Sequence, residues 1–172
     1  ALSWIDANDN LWLWGGAISG YGTSADMWRY NTTTNMWTWM HGPGVASVAG
    51  SYGVQGVSSP TNLPPGRYET SASWVDNAGN LWMFGGGVST GQINDMWRYN
   101  PTTNQWTWMK GPQTAGNIAG NYGTKGVAAA TNIPPCRWAY CSWTDNNGNF
   151  WLFGGTGVNN NTDSYNDMWK FD

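Results

Sequence analysis

Few side chains in this 172-residue sequence could perform catalysis or hold a metal ion. The chain has one histidine, His41, two cysteines, Cys136 and Cys141, and ten acidic residues. Nucleophilic triads use histidine as the base, and transition-metal sites gather several histidine, cysteine or carboxylate ligands. With a single histidine the sequence offers no Ser-His-Asp set. We therefore predict no catalytic residue, no metal and no cofactor.

The carboxylates recur in phase, which argues against a paired acid–base site. Asp26, Asp95 and Asp167 each precede a Met-Trp pair. A catalytic acid and its base have different roles, and such a pair would break that symmetry. We predict instead that each aspartate makes the hydrogen bond that starts a strand.

A second acidic pattern begins at Asp6, Asp76 and Asp145, where the sequence reads DANDN, DNAGN and DNNGN. Its alternating oxygen-bearing side chains resemble a calcium-binding loop. Aspartate, asparagine and glycine are also the residues of tight turns. Because a turn accounts for the pattern with fewer assumptions, we predict hairpins here rather than calcium sites.

Both patterns belong to a repeat that covers nearly the whole chain. LWLWGG at 11–16 returns as LWMFGG at 81–86 and as FWLFGG at 150–155. The step from Gly15 to Gly85 is 70 residues, and the step from Gly85 to Gly154 is 69. TNLPPGR at 61–67 likewise returns as TNIPPCR at 131–137. Self-similarity at a fixed period indicates a fold built from repeated units.

Each copy has the pattern of four antiparallel strands and lacks a long amphipathic helix. In the second copy, SASWVD at 71–76 alternates, DNAGN reverses the chain, and NLWMFGG at 80–86 returns. NDMWRY and QWTWM follow as the third and fourth strands. The returning strand is apolar at every position, so it should be buried on both faces. Its glycines permit positive φ or a close backbone approach. Four-stranded sheets packed between others are the blades of a β-propeller.

The repeat resembles the kelch repeat, in which a double glycine is followed by a tyrosine and, after six intervening residues, a tryptophan. The resemblance is closest to the kelch repeats grouped with the central domain of galactose oxidase. The connection at 110–135 departs from the family, because it stretches the period to about 70 residues from roughly 50. In kelch repeats the motif residues pack between strands and blades. The resemblance therefore implies a structural role for Gly15, Gly16, Tyr30, Trp37, Gly85, Gly86, Tyr99, Trp106, Gly154 and Gly155.

The oxidases of that family hold copper with histidines and tyrosines. His41 stands alone, where the next copy has Lys110. The oxidase activity is therefore not expected to carry over, and we predict that the protein is not an enzyme.

We expect one domain over 1–172, with copies at about 1–66, 67–136 and 137–172. The third copy ends after its third strand, with Phe171 at the tyrosine position. Kelch propellers close with about six or seven blades, so the resemblance implies about three blades, the last incomplete, or half of a ring. We expect the missing half to come from another copy or from the remainder of a longer chain. Open-ended association into a fibre is the alternative.

Composition narrows the class of protein further. A net charge of −3 with only 10% charged residues excludes a basic nucleic-acid surface and a polybasic membrane anchor. No apolar run approaches the roughly 18 residues of a transmembrane helix. Fifteen tryptophans and 24 glycines indicate a rigid β protein, and we expect it to be extracellular or at the cell surface. Because the chain begins at Ala1 without a signal peptide, we expect a processed product or an excised fragment.

The two cysteines belong to one blade and break the repeat, which favours their origin as a pair. Cys136 stands where the preceding repeat has Gly66. Five residues of straight strand would separate the Cα atoms of Cys136 and Cys141 by about 16 Å, beyond the roughly 7 Å limit of a disulfide. We expect the bridge, which requires a bend between Arg137 and Tyr140. Two buried free thiols are the alternative.

Most tryptophans recur in phase and are predicted to be core residues. Trp138 replaces Tyr68 beside a loop and is the better candidate for a ligand contact. Asn31 and Asn160 begin glycosylation sequons, although such triplets are frequent by chance.

Two classes of function remain open. The first is a non-enzymatic extracellular building block or binding module that completes a propeller or fibre by association. The second is a fragment of a secreted galactose-oxidase-like or carbohydrate-active enzyme. Glycan binding through loops between blades is compatible with either class. The lack of an asymmetric polar cluster favours the first.

Overall fold

A computed structural model describes residues 1–19, 22–68, 72–116, 118–157 and 164–172. The regular elements in these ranges are all β-strands, so the predicted all-β class is confirmed. The strands are β1 (Leu2–Ile5), β2 (Leu11–Ile18), β3 (Gly22–Asn31), β4 (Met36–His41), β5 (Ser58–Ser59), β6 (Ala72–Val75), β7 (Leu81–Val88), β8 (Gly91–Asn100), β9 (Gln105–Lys110), β10 (Cys141–Thr144), β11 (Phe150–Phe153) and β12 (Met168–Phe171).

The strands form three antiparallel sheets, one for each copy of the repeat. Sheet 1 has the order β1-β2-β3-β4, and sheet 3 has the order β10-β11-β12. Sheet 2 has the order β6-β7-β8-β9 and carries β5 on its outer edge. This fifth strand was not predicted. It comes from the long connection after sheet 1 and pairs Ser58 with Thr107 and Ser59 with Trp106.

The double glycines end the apolar stretch of each second strand with a left-handed bend. Gly15, Gly85 and Gly154 have φ values of 66°, 63° and 69°. The ladder register shifts between Trp14 and Gly16, and the same bulge recurs in sheet 2. A Cβ atom on Gly15 would lie 2.9 Å from the carbonyl oxygen of Arg67. Both predicted reasons for the glycines, positive φ and a close backbone approach, therefore apply.

The three acidic patterns are hairpin turns closed by their own aspartates. In the first hairpin, Asp6 Oδ1 accepts hydrogen bonds from the backbone N–H groups of Asn8 and Asn10. Its Oδ2 accepts from Trp12 Nε1 at 2.8 Å. Asp76 and Asp145 make the same set of bonds. These carboxylates are occupied by N–H donors, as the turn interpretation predicts.

The sheets stack face to face with their first strands adjacent, since β6 contacts both β1 and β10. Side chains alternate across each sheet and fill two cores. The core between sheets 1 and 2 includes Trp12, Trp14, Met83 and Trp97. The core between sheets 2 and 3 includes Trp74, Phe84 and Leu152. Trp14 is fully inaccessible.

The expected disulfide between Cys136 and Cys141 is not formed, and both residues are free thiols. Cys136 is buried, and its Sγ donates to the carbonyl of Gly116 and accepts from the N–H of Ile118, each at 3.3 Å. Cys141 begins β10 and is exposed. The preceding connection holds the first thiol, while strand pairing with Phe153 holds the second on the sheet. The prediction of a bridge was wrong for this reason.

In the ranges that the structure covers, no helix is long and apolar enough to cross a membrane.

Candidate functional site

Identical sequence positions are buried in sheet 2 and exposed in sheet 1. Trp106 is fully buried, whereas its counterpart Trp37 is 55% exposed. Leu81 is also fully buried, whereas Leu11 is 40% exposed. The difference arises because sheet 1 covers that face of sheet 2, while no sheet formed by the described residues covers the same face of sheet 1. The repeat pattern therefore predicts the core correctly only for the central sheet.

The uncovered face of sheet 1 is aromatic. We call it the front face and define it by residues from β2, β3 and β4. Its rings already contact one another: Trp28 stacks on Trp39 with centroids 6.5 Å apart, and Tyr30 lies 5.1 Å from Trp37. The front face comprises Leu11, Trp28, Tyr30, Trp37 and Trp39.

Sheet 3 leaves its opposite face uncovered, and we call this the rear face. Trp143 and Trp151 stack there with centroids 6.0 Å apart and rings within 2° of parallel. Phe153 and Met168 are 42% and 58% exposed. The corresponding residues of sheet 2 are buried against sheet 3. The rear face comprises Trp143, Trp151, Phe153 and Met168.

The front and rear faces are complementary by the symmetry of the repeat. The front face repeats the positions with which sheet 2 contacts sheet 1. The rear face repeats the positions with which sheet 2 contacts sheet 3. A front face placed against a rear face would therefore reproduce the kind of contact found twice within the molecule.

A buried ion pair fastens the connection before sheet 2 to that sheet. Arg67 Nη1 lies 2.9 Å from Asp95 Oδ1, and neither side chain is more than 1% exposed. The same nitrogen donates to the carbonyl of Gly85 at 2.9 Å. Tyr52 Oη and Trp97 Nε1 donate to Asp95 Oδ2 at 2.8 and 2.7 Å. Asp95 thus accepts hydrogen bonds from two residues of the connection, Tyr52 and Arg67.

Sheet 3 repeats this arrangement with Arg137, Asp167 and Tyr122. Arg137 makes a bidentate contact with Asp167 and also donates to the carbonyl of Gly154. Partial burial acts to raise the pKa of Asp167, but the hydrogen bonds from Arg137, Tyr122 and Trp169 outweigh it and lower that pKa to about 2. Burial and the bond to this carboxylate raise the pKa of Tyr122 to about 12.

These pairs revise the expectation for the in-phase aspartates. Asp95 lies inside β8 and Asp167 just before β12, and both accept from an arginine rather than only starting a strand. Sequence reasoning missed the arginine and tyrosine partners. The sequence carries a signal for each partner. Pro-Pro-x-Arg recurs in phase at 64–67 and 134–137, and a Tyr-Gly pair recurs in phase at 52 and 122.

Sheet 1 contains the corresponding aspartate, Asp26, but its described residues do not supply the arginine and tyrosine donors found in the other two sheets. Asp26 accepts from Ser24 Oγ at 3.1 Å and from the backbone N–H of Gly44 at 2.8 Å. Among the residues described by the structure, it has no arginine partner. The connection bonds to sheet 1 through the backbone instead, since Gly16 N–H donates to the carbonyl of Arg67 at 2.9 Å.

In the described part of the chain, the cleft between sheets 1 and 2 holds no acid–base pair. This cleft of about 460 Å³ is lined mainly by small and aliphatic residues, among them Thr23, Val48 and Ile93. Among the described residues that line it, the one titratable side chain is Tyr52, whose hydroxyl is engaged with Asp95. The described residues hold no cluster of three His, Cys, Asp or Glu side chains suited to a metal. His41 ends β4, and burial lowers the pKa of its imidazole.

The remaining predicted sites lie at separate places. Trp138 is half-buried and pairs its backbone with Thr156, so only part of its ring is available to a ligand. Asn31 lies at an exposed turn, where its Oδ1 accepts from the N–H groups of Thr33 and Thr34. Asn160 lies outside the described residues. Ligand contact at Trp138 and glycosylation at Asn31 stay predictions.

Comparison with known proteins supports the fold and leaves the family open. No family model matches the sequence. A human protein, multiple epidermal growth factor-like domains protein 8, is 30% identical over 111 residues, which are 64% of this chain and 4% of that protein. The solved structure of YjhT matches 91% of this chain with a TM-score of 0.51 and 20% identity. This chain spans 34% of that structure. The likeness and the three stacked sheets together fit a β-propeller-like fold.

Proposed function

We propose that the protein is a non-enzymatic extracellular module of kelch-type blades that works by association. Its front and rear faces bind further sheets of the same kind, supplied by another copy or by additional sequence. The product is a closed ring of about six blades or a fibre. The contrast between Trp106, fully buried, and Trp37, 55% exposed, carries this proposal.

Exposed aromatic surface supplies the driving force. An aromatic side chain buries roughly 150–250 Å², which at about 25 cal/mol per Å² corresponds to roughly 4–6 kcal/mol before the costs of association. The front face presents Trp28, Trp37 and Trp39 with 38%, 55% and 50% of their surface exposed. Large contiguous apolar patches are rare on proteins that remain monomeric. Association of the two faces removes both patches from water.

The chemistry of the conspicuous polar residues supports a structural role. The hairpin aspartates are held by N–H donors of their own turns, and Asp95 and Asp167 are held by the arginines and tyrosines of the connections. The kelch-type glycines adopt positive φ, and Tyr99 and Trp106 pack in the core. These observations support a structural role for the motif residues of the central sheet, whereas Tyr30 and Trp37 lie on the uncovered front face.

An extracellular location agrees with two observations. The chain has only 10% charged residues. The human relative is named for epidermal growth factor-like domains, which are disulfide-dense modules of secreted proteins.

One alternative is favoured by how little of its relatives the chain spans, 4% of the human protein and 34% of the YjhT structure. On that alternative the three sheets are part of a larger propeller, including one of a secreted carbohydrate-active or galactose-oxidase-like protein. The two faces would then be covered by covalently continuous sequence.

The test is to place a charge on each face in turn. Trp37→Lys on the front face and Phe153→Lys on the rear face should each weaken self-association at least about tenfold, because burying an unpaired ammonium is costly. Val127→Lys is the matched control, since Val127 is 56% exposed on the connection before sheet 3. Sedimentation velocity over a range of concentrations measures the effect. Equal association by all three variants would contradict the proposal.

A further inference from the structure

The connection before sheet 2 docks on that sheet through a definable set of contacts. Tyr52 packs against Trp97 and Trp108 with centroid distances of 4.9 and 5.4 Å. Its hydroxyl donates to Asp95, to which Arg67 is also bonded. The tyrosine and the arginine are fifteen residues apart. The carboxylate of Asp95 therefore accepts hydrogen bonds from both ends of the segment, Tyr52 and Arg67.

The middle of the same segment covers the outer edge of β9. β5 pairs with β9, and Gly56 N–H donates to the carbonyl of Trp108 at 2.8 Å. Asn62 Nδ2 donates to the carbonyl of Trp106 at 3.0 Å. The segment 51–67 thus supplies an edge strand, an aromatic contact and an ion pair.

Sheet 3 receives a second segment of this kind. Tyr122 lies 5.0 Å from Trp169 and donates to Asp167, and Arg137 completes the ion pair fifteen residues later. The two occurrences share the pattern of a Tyr-Gly pair followed by Pro-Pro-x-Arg. The pattern is therefore a docking sequence for this type of sheet.

Sheet 1 retains every receptor element but has no such segment. Asp26 occupies the position of Asp95, and Trp28 and Trp39 occupy those of Trp97 and Trp108. These two tryptophans are 38% and 50% exposed, and β4 is an uncovered sheet edge. Segments 51–67 and 121–137 are both engaged on their own sheets, so neither is free to fill the position.

We infer that sheet 1 binds a peptide segment with the pattern of residues 51–67, supplied from elsewhere, and that Asp26 is its arginine and tyrosine receptor. The segment lies along the outer edge of β4 and packs its tyrosine on Trp28 and Trp39. Charge complementarity selects arginine, because its planar fork can reach the carboxylate and the carbonyl of Gly15 together, as Arg67 reaches Asp95 and the carbonyl of Gly85. This inference rests on the proposed function, since it names a segment that covers Trp28 and Trp39 of the front face.

The probe is a synthetic 17-residue peptide with the sequence of residues 51–67 and an amino-terminal fluorophore. Fluorescence anisotropy measures its binding to the full 172-residue chain and to Phe153→Lys, whose front face is free of a stacked copy. We expect saturable binding that weakens at least about tenfold with Asp26→Asn, because hydrogen bonds between charged groups are lost. Asp9→Asn, the same charge change on an exposed hairpin turn, is the control and should leave binding unchanged.

Matched peptides identify the recognised groups. Replacing the final arginine with citrulline keeps the shape and removes the charge, and it should also weaken binding at least about tenfold. Replacing the tyrosine with alanine should also weaken binding, because its contact with Trp28 and Trp39 is lost. No saturable binding, or binding that survives both Asp26→Asn and citrulline, would overturn the inference. The proposed function fails separately, if the unmodified chain stays a monomer in sedimentation whatever the peptide does.

Discussion

The ion pair between Arg67 and Asp95 is buried, with side chains 1% and 0% accessible. Arg67 and Asp95 are 28 residues apart in the sequence and belong to different elements. Each charge offsets the free-energy cost of burying the other, so removing one residue leaves an uncompensated buried charge. The exposed pair of Lys170 and Asp172, with side chains 39% and 61% accessible, lacks that dependence.

Arg67→Met should therefore lower the free energy of unfolding by about 3–5 kcal/mol, because Asp95 is left buried and unpaired. Lys170→Met is the control, and its effect should stay within about 0.5 kcal/mol because exposed pairs contribute little. Urea denaturation followed by tryptophan fluorescence measures both. Similar small losses for the two variants would show that the buried pair is dispensable.

Asp167 should make stability depend on pH in the acidic range. Its pKa in the folded protein is lowered to about 2, against roughly 3.9 for an unfolded aspartate. Its contribution is therefore fully present above about pH 4 and is lost as the pH falls towards 2. Asp167→Asn should show a shallower loss of stability over this range, measured by urea midpoints at successive pH values. Superimposable slopes for the two proteins would contradict this assignment.

The reactivity of the two thiols distinguishes free cysteines from a disulfide. Burial raises the pKa of the Cys136 thiol, whereas Cys141 is exposed at the start of β10. We expect one thiol to react rapidly with a disulfide reagent in the native protein and the second only after unfolding. An intact mass two units lower, with no reactive thiol after unfolding, would restore the disulfide that the sequence suggested.

The strands and turns follow closely from the sequence, and the connections do not. Alternation, the DxxxN turns and the double glycines predict β1 to β4 and their repeats, because those signals are local. β5 was missed because two serines carry no apolar pattern, and its pairing depends on an edge that lies 47 residues further along, from Ser59 to Trp106. The arginine partners were missed because their contacts also join residues that lie far apart in the sequence.

The double glycine allows a specific test of local geometry. Gly15 and Gly79 have similar φ values, 66° and 80°, but a Cβ on Gly15 would meet the carbonyl of Arg67 at 2.9 Å while one on Gly79 would meet nothing within 4 Å. Gly79→Ala should cost about 1 kcal/mol of stability, from backbone strain alone. Gly15→Ala should cost roughly 2–4 kcal/mol, because the docked connection must also move. Thermal denaturation compares them, and equal losses would exclude a role for the close approach.

The three sheets together form an array with two unlike, complementary ends. The sequence predicted three sheets and an incomplete last one, since the repeat specifies both. It could not predict that Trp37 and Trp106, alike in sequence, differ in exposure, because exposure depends on which neighbours are present. The candidate site was therefore visible only once the sheets were stacked.

The mass of the unmodified 172-residue chain in solution tests most directly whether the protein works by association of its two faces. Multi-angle light scattering coupled to size exclusion should give a discrete multiple of 18.9 kDa or a growing series of larger species, because both aromatic faces need cover. Near-ultraviolet circular dichroism on the same fractions establishes that the tryptophans are packed. A stable, soluble species of 18.9 kDa with a native near-ultraviolet signal would contradict the proposal, since three sheets would then suffice alone.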